Sequence, residues 1–364
     1  MFLRHALSHA LGDRKGLRAL DLCAAPGGKS TLMASMPQFS LVVCNEIIRT
    51  RVSILKENMA KWGTPHSWVT QNDPKEVGRL EGFFDVMVVD APCSGSGLFR
   101  REPGLISEWS ERNVQLCGER QQRILADALP ALAQDGLLIY STCSYSREED
   151  EMILDWLLDH ETFESLEIPV EEAWGIVPVR SVRGAHGLRF YPDRLKGEGL
   201  FMACLRKKSG TVHMARRGAP LAVAPARDRE AAAPWLKDGG TDLTLIRRDD
   251  ELFALPKGLE PDMLALQENM LVRKTGIRIG CLAHGEFLPD HELAVGTVVA
   301  ADVPVIDLDR EQALNYLRKE SIGPFEGKKG WHLMRFEGAG LGWAKLLPSR
   351  VNNYYPAHWR ILHL

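Results

Sequence analysis

The sequence predicts an α/β fold: a doubly wound, largely parallel sheet over residues 1–207, a basic connector over 208–240, and two small domains over 241–300 and 301–364, the last β-rich. Three observations carry this reading. Up to about residue 207, apolar strand-like runs alternate with helical stretches, the pattern of parallel α/β sheets. From Arg206 to Arg229 the composition turns to Ala, Pro and Arg with no clear period. Beyond residue 241, short strand-like pieces replace the long alternation, and the final stretch has its own aromatics and glycines.

In chain order, strands are expected over 17–22, 41–44, 84–89 and 137–140, each an apolar run that stops at a polar turn. These turns are Cys23-Ala24-Ala25-Pro26-Gly27-Gly28-Lys29, Asn45-Glu46, Asp90-Ala91-Pro92-Cys93 and Ser141-Thr142-Cys143. Helices are expected over 50–62 and 110–134, the second stopped by Asp135-Gly136. Another is expected from Ser146, where Ser146-x-x-Glu149 has capping-box spacing and Met152, Ile153, Trp156 and Leu157 mark an apolar face. Residues 148–172 hold eleven Asp or Glu and no Lys or Arg, which reads as a solvated acidic surface turned away from any polyanion. The 206–229 stretch carries 7 Lys/Arg against 1 Asp, a local +6, and reads as a semi-extended linker. Residues 328–364 carry 6 Lys/Arg against 1 Glu, a local +5, interleaved with Trp331, Phe336, Trp343, Tyr354, Tyr355 and Trp359. That mixture suits a small RNA-binding module, while each aromatic taken alone equally suits a domain core.

The 364 residues allow two or three domains at roughly 150 residues each. With 45% hydrophobic and 26% charged residues, the chain has ordinary globular usage, which excludes a mostly disordered or collagen-like protein. A net charge of −3 gives no whole-molecule signature for nucleic acid, though it conceals the two basic segments. Seven cysteines occur without a C-x-x-C pair or a short His/Cys cluster, so neither a zinc site nor a disulfide framework is expected, and a reducing cytosol fits. No apolar run approaches the roughly 18 residues that span a bilayer.

A strand followed by a Gly-Gly turn and a helix suits a nucleotide or nucleoside ligand. A P-loop is excluded because Cys23 stands where its first glycine belongs, and a G-x-G-x-x-G fingerprint because only Gly27 and Gly28 are present. What remains is Asp21 ending the first strand, the glycine turn, and Glu46 after the second, about where an acid would bond a ribose hydroxyl. This layout suits S-adenosylmethionine as well as a nicotinamide cofactor. Two other strand-end turns contain Cys93 and Cys143 in polar, glycine- or serine-rich surroundings. In a doubly wound sheet the fourth and fifth strands are neighbours and ligands bind at the carboxyl ends, so both thiols and Asp90 should converge beside the cofactor. Cys23, Cys44, Cys117, Cys204 and Cys281 read instead as small buried hydrophobes.

These motifs together, in this order, closely resemble the RNA 5-methylcytosine methyltransferases of the Sun/RsmF type. The resemblance extends through Gly187-Leu188-Arg189-Phe190-Tyr191-Pro192 and Gly197-Glu198-Gly199-Leu200-Phe201, then Arg247-Arg248-Asp249-Asp250-Glu251-Leu252 with Pro256. It ends with Gly342-Trp343-Ala344-Lys345 and Arg350-Val351-Asn352-Asn353-Tyr354-Tyr355-Pro356, which are similar to a PUA-like domain. It implies a Rossmann-like S-adenosylmethionine-dependent methyltransferase domain followed by an RsmF-type first C-terminal domain and a PUA-like RNA-binding domain. Family members carry an N-terminal RNA-binding extension and a segment ending in Gln-Glu-Ala-Ser-Ser. This chain begins at Met1-Phe2-Leu3-Arg4-His5, about where that segment would have ended, so a fragment or a misplaced start is expected.

The resemblance implies roles for single residues. Cys143 is the nucleophile toward C6 of cytosine, Cys93 assists product release, and Asp90 hydrogen-bonds the cytosine edge, with a plain strand-end turn as its alternative; a thiolate also calls for a polar site or a nearby cation, for which Lys29 is one candidate. S-adenosylmethionine would lie against Cys23, Ala24, Ala25, Pro26, Gly27, Gly28, Lys29 and Asp90, with Glu46 on the ribose and Asp73 near the adenine, although Asp73-Pro74 equally suits a plain turn. Arg100, Arg101, Lys345 and Arg350 are expected on RNA, Arg100 and Arg101 having a solvated loop as their alternative. The substrate implied is small-subunit 16S rRNA, free or in the assembling subunit. A tRNA methyltransferase and a non-catalytic ribosome assembly factor stay open beside it.

Overall fold

Residues 2–211 and 221–362 are described by the computed structural model. Contacts divide the chain into two units, the first made of Met1–Leu55, Val69–Arg217 and Ala265–Arg273, the second of Lys56–Trp68, Gly218–Leu264 and Lys274–Leu364.

The first part of the chain runs α1 (Phe2–Leu11), β1 (Leu17–Asp21), α2 (Gly28–Ala34), β2 (Phe39–Asn45), α3 (Arg49–Trp62), β3 (Ser67–Thr70), α4 (Pro74–Val77) and β4 (Phe84–Asp90). It continues with α5 (Leu105–Glu108), α6 (Glu111–Ala128), β5 (Leu132–Thr142), α7 (Glu151–His160), β6 (Phe163–Leu166), β7 (Val177–Arg180), β8 (His186–Phe190) and β9 (Leu200–Lys207). Strands β2, β1, β4 and β5 pair in parallel, with Asp21 opposite Cys44 and Val88, and Asp90 opposite Ser141. Their apolar runs are buried along almost their whole length, as strands covered on both faces require. Parallel alignment brings the turns after Asp21, Asn45, Asp90 and Thr142 to one edge. Beyond β5 the sheet becomes antiparallel through β9, β8 and β7, with β6 also on β9.

Three sequence expectations are corrected in this unit. The helix expected over 110–134 stops at Ala128, because Pro130 in the following 3-10 turn has no N–H to continue the ladder. Asp135-Gly136 instead lies inside β5, where Asp135 takes φ 58° at an irregularity in the pairing with β4. The start of that helix fits its sequence, since Asn113 N–H donates to Ser110 Oγ. The capping box at Ser146 does not form: α7 begins at Glu151, and its buried face is Ile153, Leu154 and Leu157, with Met152 exposed. Nor is the acidic stretch wholly solvated, because Glu149, Asp150 and Glu151 are buried.

Arg189 on β8 explains how two of these acids are tolerated. Its guanidinium makes a bidentate pair with Glu151 at 2.8 and 2.6 Å and approaches Asp150 at 3.1 Å, all three side chains being under 10% exposed. Burial nonetheless pushes the Asp150 carboxyl up to about 8. Arg189→Met should destabilise the fold by about 3–5 kcal/mol, because it strands two buried carboxyl groups. A urea or thermal unfolding comparison reads this directly, and a change under 1 kcal/mol would contradict it.

Later in the chain come α8 (Ala226–Ala232), β10 (Leu243–Arg248), β11 (Glu251–Pro256), α9 (Glu260–Asn269), β12 (Val272–Lys274), β13 (Ile277–Ala283), β14 (Glu286–Pro289) and α10 (His291–Val295). The last elements are β15 (Val305–Asp307), α11 (Arg310–Leu317), β16 (Gly330–Phe336), β17 (Ala339–Leu346) and β18 (Val351–Asn353). Two four-stranded sheets result, in the orders β10-β11-β13-β14 and β15-β16-β17-β18. The expected basic connector is partly folded: Arg206 and Lys207 end β9, and Ala224, Ala232 and Leu236 belong to the core of the second unit. The middle of that segment, 212–220, lies outside the described residues. Residues 265–273 extend the large sheet beside β3, Leu271 N–H donating to Asn72 Oδ1 at 2.8 Å and Gln71 N–H to Leu271 O at 3.0 Å. Of the tail aromatics, Trp343 and Tyr355 are core residues, Tyr354 is exposed, and Trp331, Phe336 and Trp359 are half-buried.

Candidate active site

The turn between β1 and α2 adopts Gly27 at φ 114°, a backbone region that a side chain rarely enters. A Cβ on Gly28 would meet nothing within 4 Å, so the backbone there faces open space. Cys23, Ala24, Ala25, Pro26, Gly28 and Lys29 line a cavity of about 360 Å³, closed by Asp21, Asp90, Phe2, Leu3, Leu200 and Met202. Burial pushes the Asp21 carboxyl up to about 6 and the Cys23 thiol up to about 12. Asp21 Oδ2 accepts from Ser30 Oγ at 2.6 Å, while its Oδ1 is buried without a hydrogen bond. Glu46 is likewise buried; Oε1 accepts from Ile48 N–H, and Oε2 has no hydrogen bond, only the Arg51 guanidinium at 3.4 Å. Apolar walls and an acid with an unused acceptor, Asp21, fit S-adenosylmethionine, which combines an adenosyl group with two cationic centres.

On the neighbouring strands, Cys93 and Cys143 meet with their sulfurs 2.7 Å apart, both as free thiols. The turns carrying them are tied together by Ala91 N–H donating to Ser141 O and Gly97 N–H to Cys143 O, each at 2.8 Å. Asp90 stands beside them, Oδ1 accepting from Ser141 Oγ at 2.8 Å and Oδ2 from Lys29 Nζ at 2.7 Å. Burial pulls the Lys29 ammonium down, but Asp90 raises it on balance. The mutual contact of the two cysteines lowers the Cys143 thiol below its ordinary value and raises Cys93. Asp90 and Glu149 oppose ionisation at Cys143, whereas Lys29 favours it. Cys93→Ala removes the neighbouring thiol, so the Cys143 pKa should rise. Alkylation of Cys143 by iodoacetamide, measured against pH, should therefore shift to higher pH; an unmoved or acid-shifted profile would refute this coupling.

The expected residues are not all equally close. Cys23 to Lys29, Asp90, Cys93 and Cys143 come together at the sheet edge. Asp73 is the N-cap of α4, one carboxylate oxygen accepting from Lys75 N–H in a capping box with Glu76, and neither it nor Glu46 lines the cavity. Arg100 donates to Gly197 O at 2.6 Å and pairs with Glu198 at 3.0 Å, while Arg101 sits in the exposed loop near Glu102. In the second unit, Lys345 lies over the Trp331 ring at 5.4 Å and Arg350 is exposed. Sequence reasoning missed Glu149, Ser94, Ser144 and Gln121, which form a buried polar cluster under the two thiols. The usable signal was the serine directly after each cysteine. Leu200 and Met202 also went unnoticed, because β9 enters the sheet from much later in the chain.

Residues 8–206 match the family model of the 16S rRNA methyltransferase RsmB/F, and residues 303–361 match the methyltransferase RsmF PUA domain. The chain belongs to the RsmB/F family. It is an RNA methyltransferase that uses S-adenosylmethionine. Among its relatives is the ribosomal RNA small subunit methyltransferase F of Psychromonas ingrahamii, 31% identical over 96% of this chain and 75% of that one. The protein of the same name from Aliivibrio fischeri is 30% identical over 93% of this chain and 73% of that one. Among solved structures, that of NSun6 from Pyrococcus horikoshii with SFG is 24% identical with a TM-score of 0.49, over 56% of this chain and 51% of that one. RsmB/F membership agrees with the Rossmann-like sheet and the small β-rich C-terminal sheets. Among the described residues, no helix is long and apolar enough to cross a membrane, and no cluster of His, Cys, Asp and Glu could hold a metal ion.

Proposed function

We propose that this RsmB/F protein methylates C5 of cytosine in small-subunit 16S ribosomal RNA through a covalent bond between Cys143 and C6 of the base. The carrying observation is the meeting of Cys93, Cys143 and Asp90 at the sheet edge that also holds the glycine-turn cavity. Residues 1–207 would form the catalytic domain, with 241–300 and 301–364 as C-terminal domains; Lys345 and Arg350, with Arg100 and Arg101, are the RNA-contact proposals.

C5 of cytosine is too poor a nucleophile to take a methyl group unaided, and the protein supplies the remedy. The Cys143 thiolate adds to C6, and the electron pair of the C5–C6 double bond moves toward C5 and the ring nitrogen. Asp90 hydrogen-bonds the protonated ring nitrogen and spreads the developing charge. Residues 23–29 would hold S-adenosylmethionine, which would supply the methyl group as an electrophile, and Glu46 toward the ribose and Asp73 toward the adenine are proposed as further contacts. After methyl transfer the C5 proton leaves to a solvent water, the C5–H electrons re-form the C5–C6 double bond and expel the Cys143 thiolate, and Cys93 assists this release. The base must leave its stack to reach two half-buried thiols, so an RNA loop or opened helix suits the site.

The test is transfer of tritiated methyl from S-adenosylmethionine to small-subunit RNA and, separately, to tRNA, with nucleoside analysis of the product. Labelled 5-methylcytidine in small-subunit RNA is the expected result. Label confined to tRNA overturns the substrate, label at another atom overturns the chemistry, and RNA binding without transfer supports an assembly factor.

A further inference from the structure

We infer that Glu149 is a positioning residue that clamps the two cysteine turns to each other and so sets the spacing on which attack and release depend. The inference rests on the roles proposed for Cys143 and Cys93. Glu149 is fully buried at the end of the turn before α7, and donors from three segments converge on its carboxylate. Oε1 accepts from Ser94 N–H at 2.7 Å and from Gln121 Nε2 at 3.4 Å. Oε2 accepts from Ser94 Oγ at 2.5 Å and from Ser144 Oγ at 2.6 Å. Ser94 directly follows Cys93, and Ser144 directly follows Cys143, so one side chain grips the residue after each thiol.

The clamp is itself held in place. Gln121 Nε2 also donates to Pro92 O at 3.0 Å, on the other side of Cys93. Tyr140 on β5 donates to Glu149 O at 2.6 Å, with Gln121 Oε1 3.0 Å from the same hydroxyl. Ser144 Oγ accepts from Ser146 N–H at 3.0 Å, and Ser144 N–H donates to Thr142 Oγ1 at 3.1 Å. A local cap for α7 would need only Ser146 and Glu149; the observed contacts instead reach 55 residues back to Ser94. Glu149 also costs the site something, since its charge raises both thiols. Such a carboxylate beside a nucleophilic thiol is intelligible as a positional device, because misplacement of a reacting group by about 1 Å can cost 10²-fold in rate.

The two ends of the clamp should act differently. Ser94→Ala loosens the Cys93 side, so release slows and a denaturant-stable protein–RNA adduct accumulates although Cys93 is intact. Ser144→Ala loosens the Cys143 side, so the single-turnover rate of adduct formation falls about 10-fold or more without accumulation. Glu149→Ala should lower kcat by about 10²-fold with KM for RNA little changed, and Glu149→Gln, which keeps shape and one acceptor, should recover most of it. Each variant is checked for wild-type melting temperature and for S-adenosylmethionine affinity by calorimetry, and Cys143→Ala is run alongside. If Cys143→Ala is dead while both serine variants keep wild-type kcat and adduct lifetime, the clamp is refuted and the nucleophile stands. If Cys143→Ala still transfers methyl, the underlying mechanism falls and the clamp with it. If Glu149→Ala merely lowers the melting temperature, leaving kcat per folded molecule unchanged, Glu149 is structural and the inference fails.

Discussion

Cys143→Ala abolishes methyl transfer, with a loss of about 10⁴-fold or more in the single-turnover rate. The size follows from the chemistry, since without a sulfur at C6 the C5 carbon has no enamine character to take the methyl group. The lowered Cys143 thiol agrees with its proposed role as nucleophile. S-adenosylmethionine affinity should stay near wild type, because Cys143 does not line the glycine-turn cavity. Cys93→Ala, by contrast, should retain attack and accumulate a covalent protein–RNA adduct visible on a denaturing gel. The reverse pair of phenotypes would make Cys93 the nucleophile.

Asp90→Ala is expected to lower kcat by about 10²–10³-fold, the scale seen when one preorganised partner of a developing charge is removed. Asp90 is held in place from two sides, by Ser141 Oγ and Lys29 Nζ, so little reorganisation is needed when the base arrives. Its removal also releases the Lys29 ammonium from its ion pair, and that cation then lies free beside the thiols. Cys143 ionisation should therefore become easier while catalysis becomes slower. Measuring iodoacetamide alkylation of Cys143 against pH separates the two effects: faster alkylation with slower methylation is expected, and parallel loss of both would mean local unfolding.

The sheet was legible because its central strands announce themselves: Val86 to Val89 and Leu137 to Tyr140 are unbroken apolar runs that only a doubly covered strand accommodates. The glycine turn and both cysteine turns were legible for a related reason, each placing polar residues directly after such a run. Glu149 was not, because Ser-x-x-Glu spacing is the same whether the acid folds back on its own helix or turns toward a serine far earlier in the chain. Asp135-Gly136 misled in the same way: a left-handed residue before glycine ends helices, and it also makes an irregularity in a strand. Residues 265–273 carry no local sign that they join the large sheet. Their partners, Gln71 and Asn72, lie about two hundred positions away, beyond any periodicity argument.

The antiparallel strand beside β5 has a consequence for biogenesis. The cavity wall is assembled from Phe2 and Leu3 at one extreme and Leu200 and Met202 at the other, with the glycine turn between. A nascent chain therefore completes this cavity, the proposed methyl-donor site, only when β9 has emerged and inserted, however early the glycine turn is made. Affinity for S-adenosylmethionine becomes a reporter of completed folding, and the donor itself, by binding only the finished sheet, favours it by mass action.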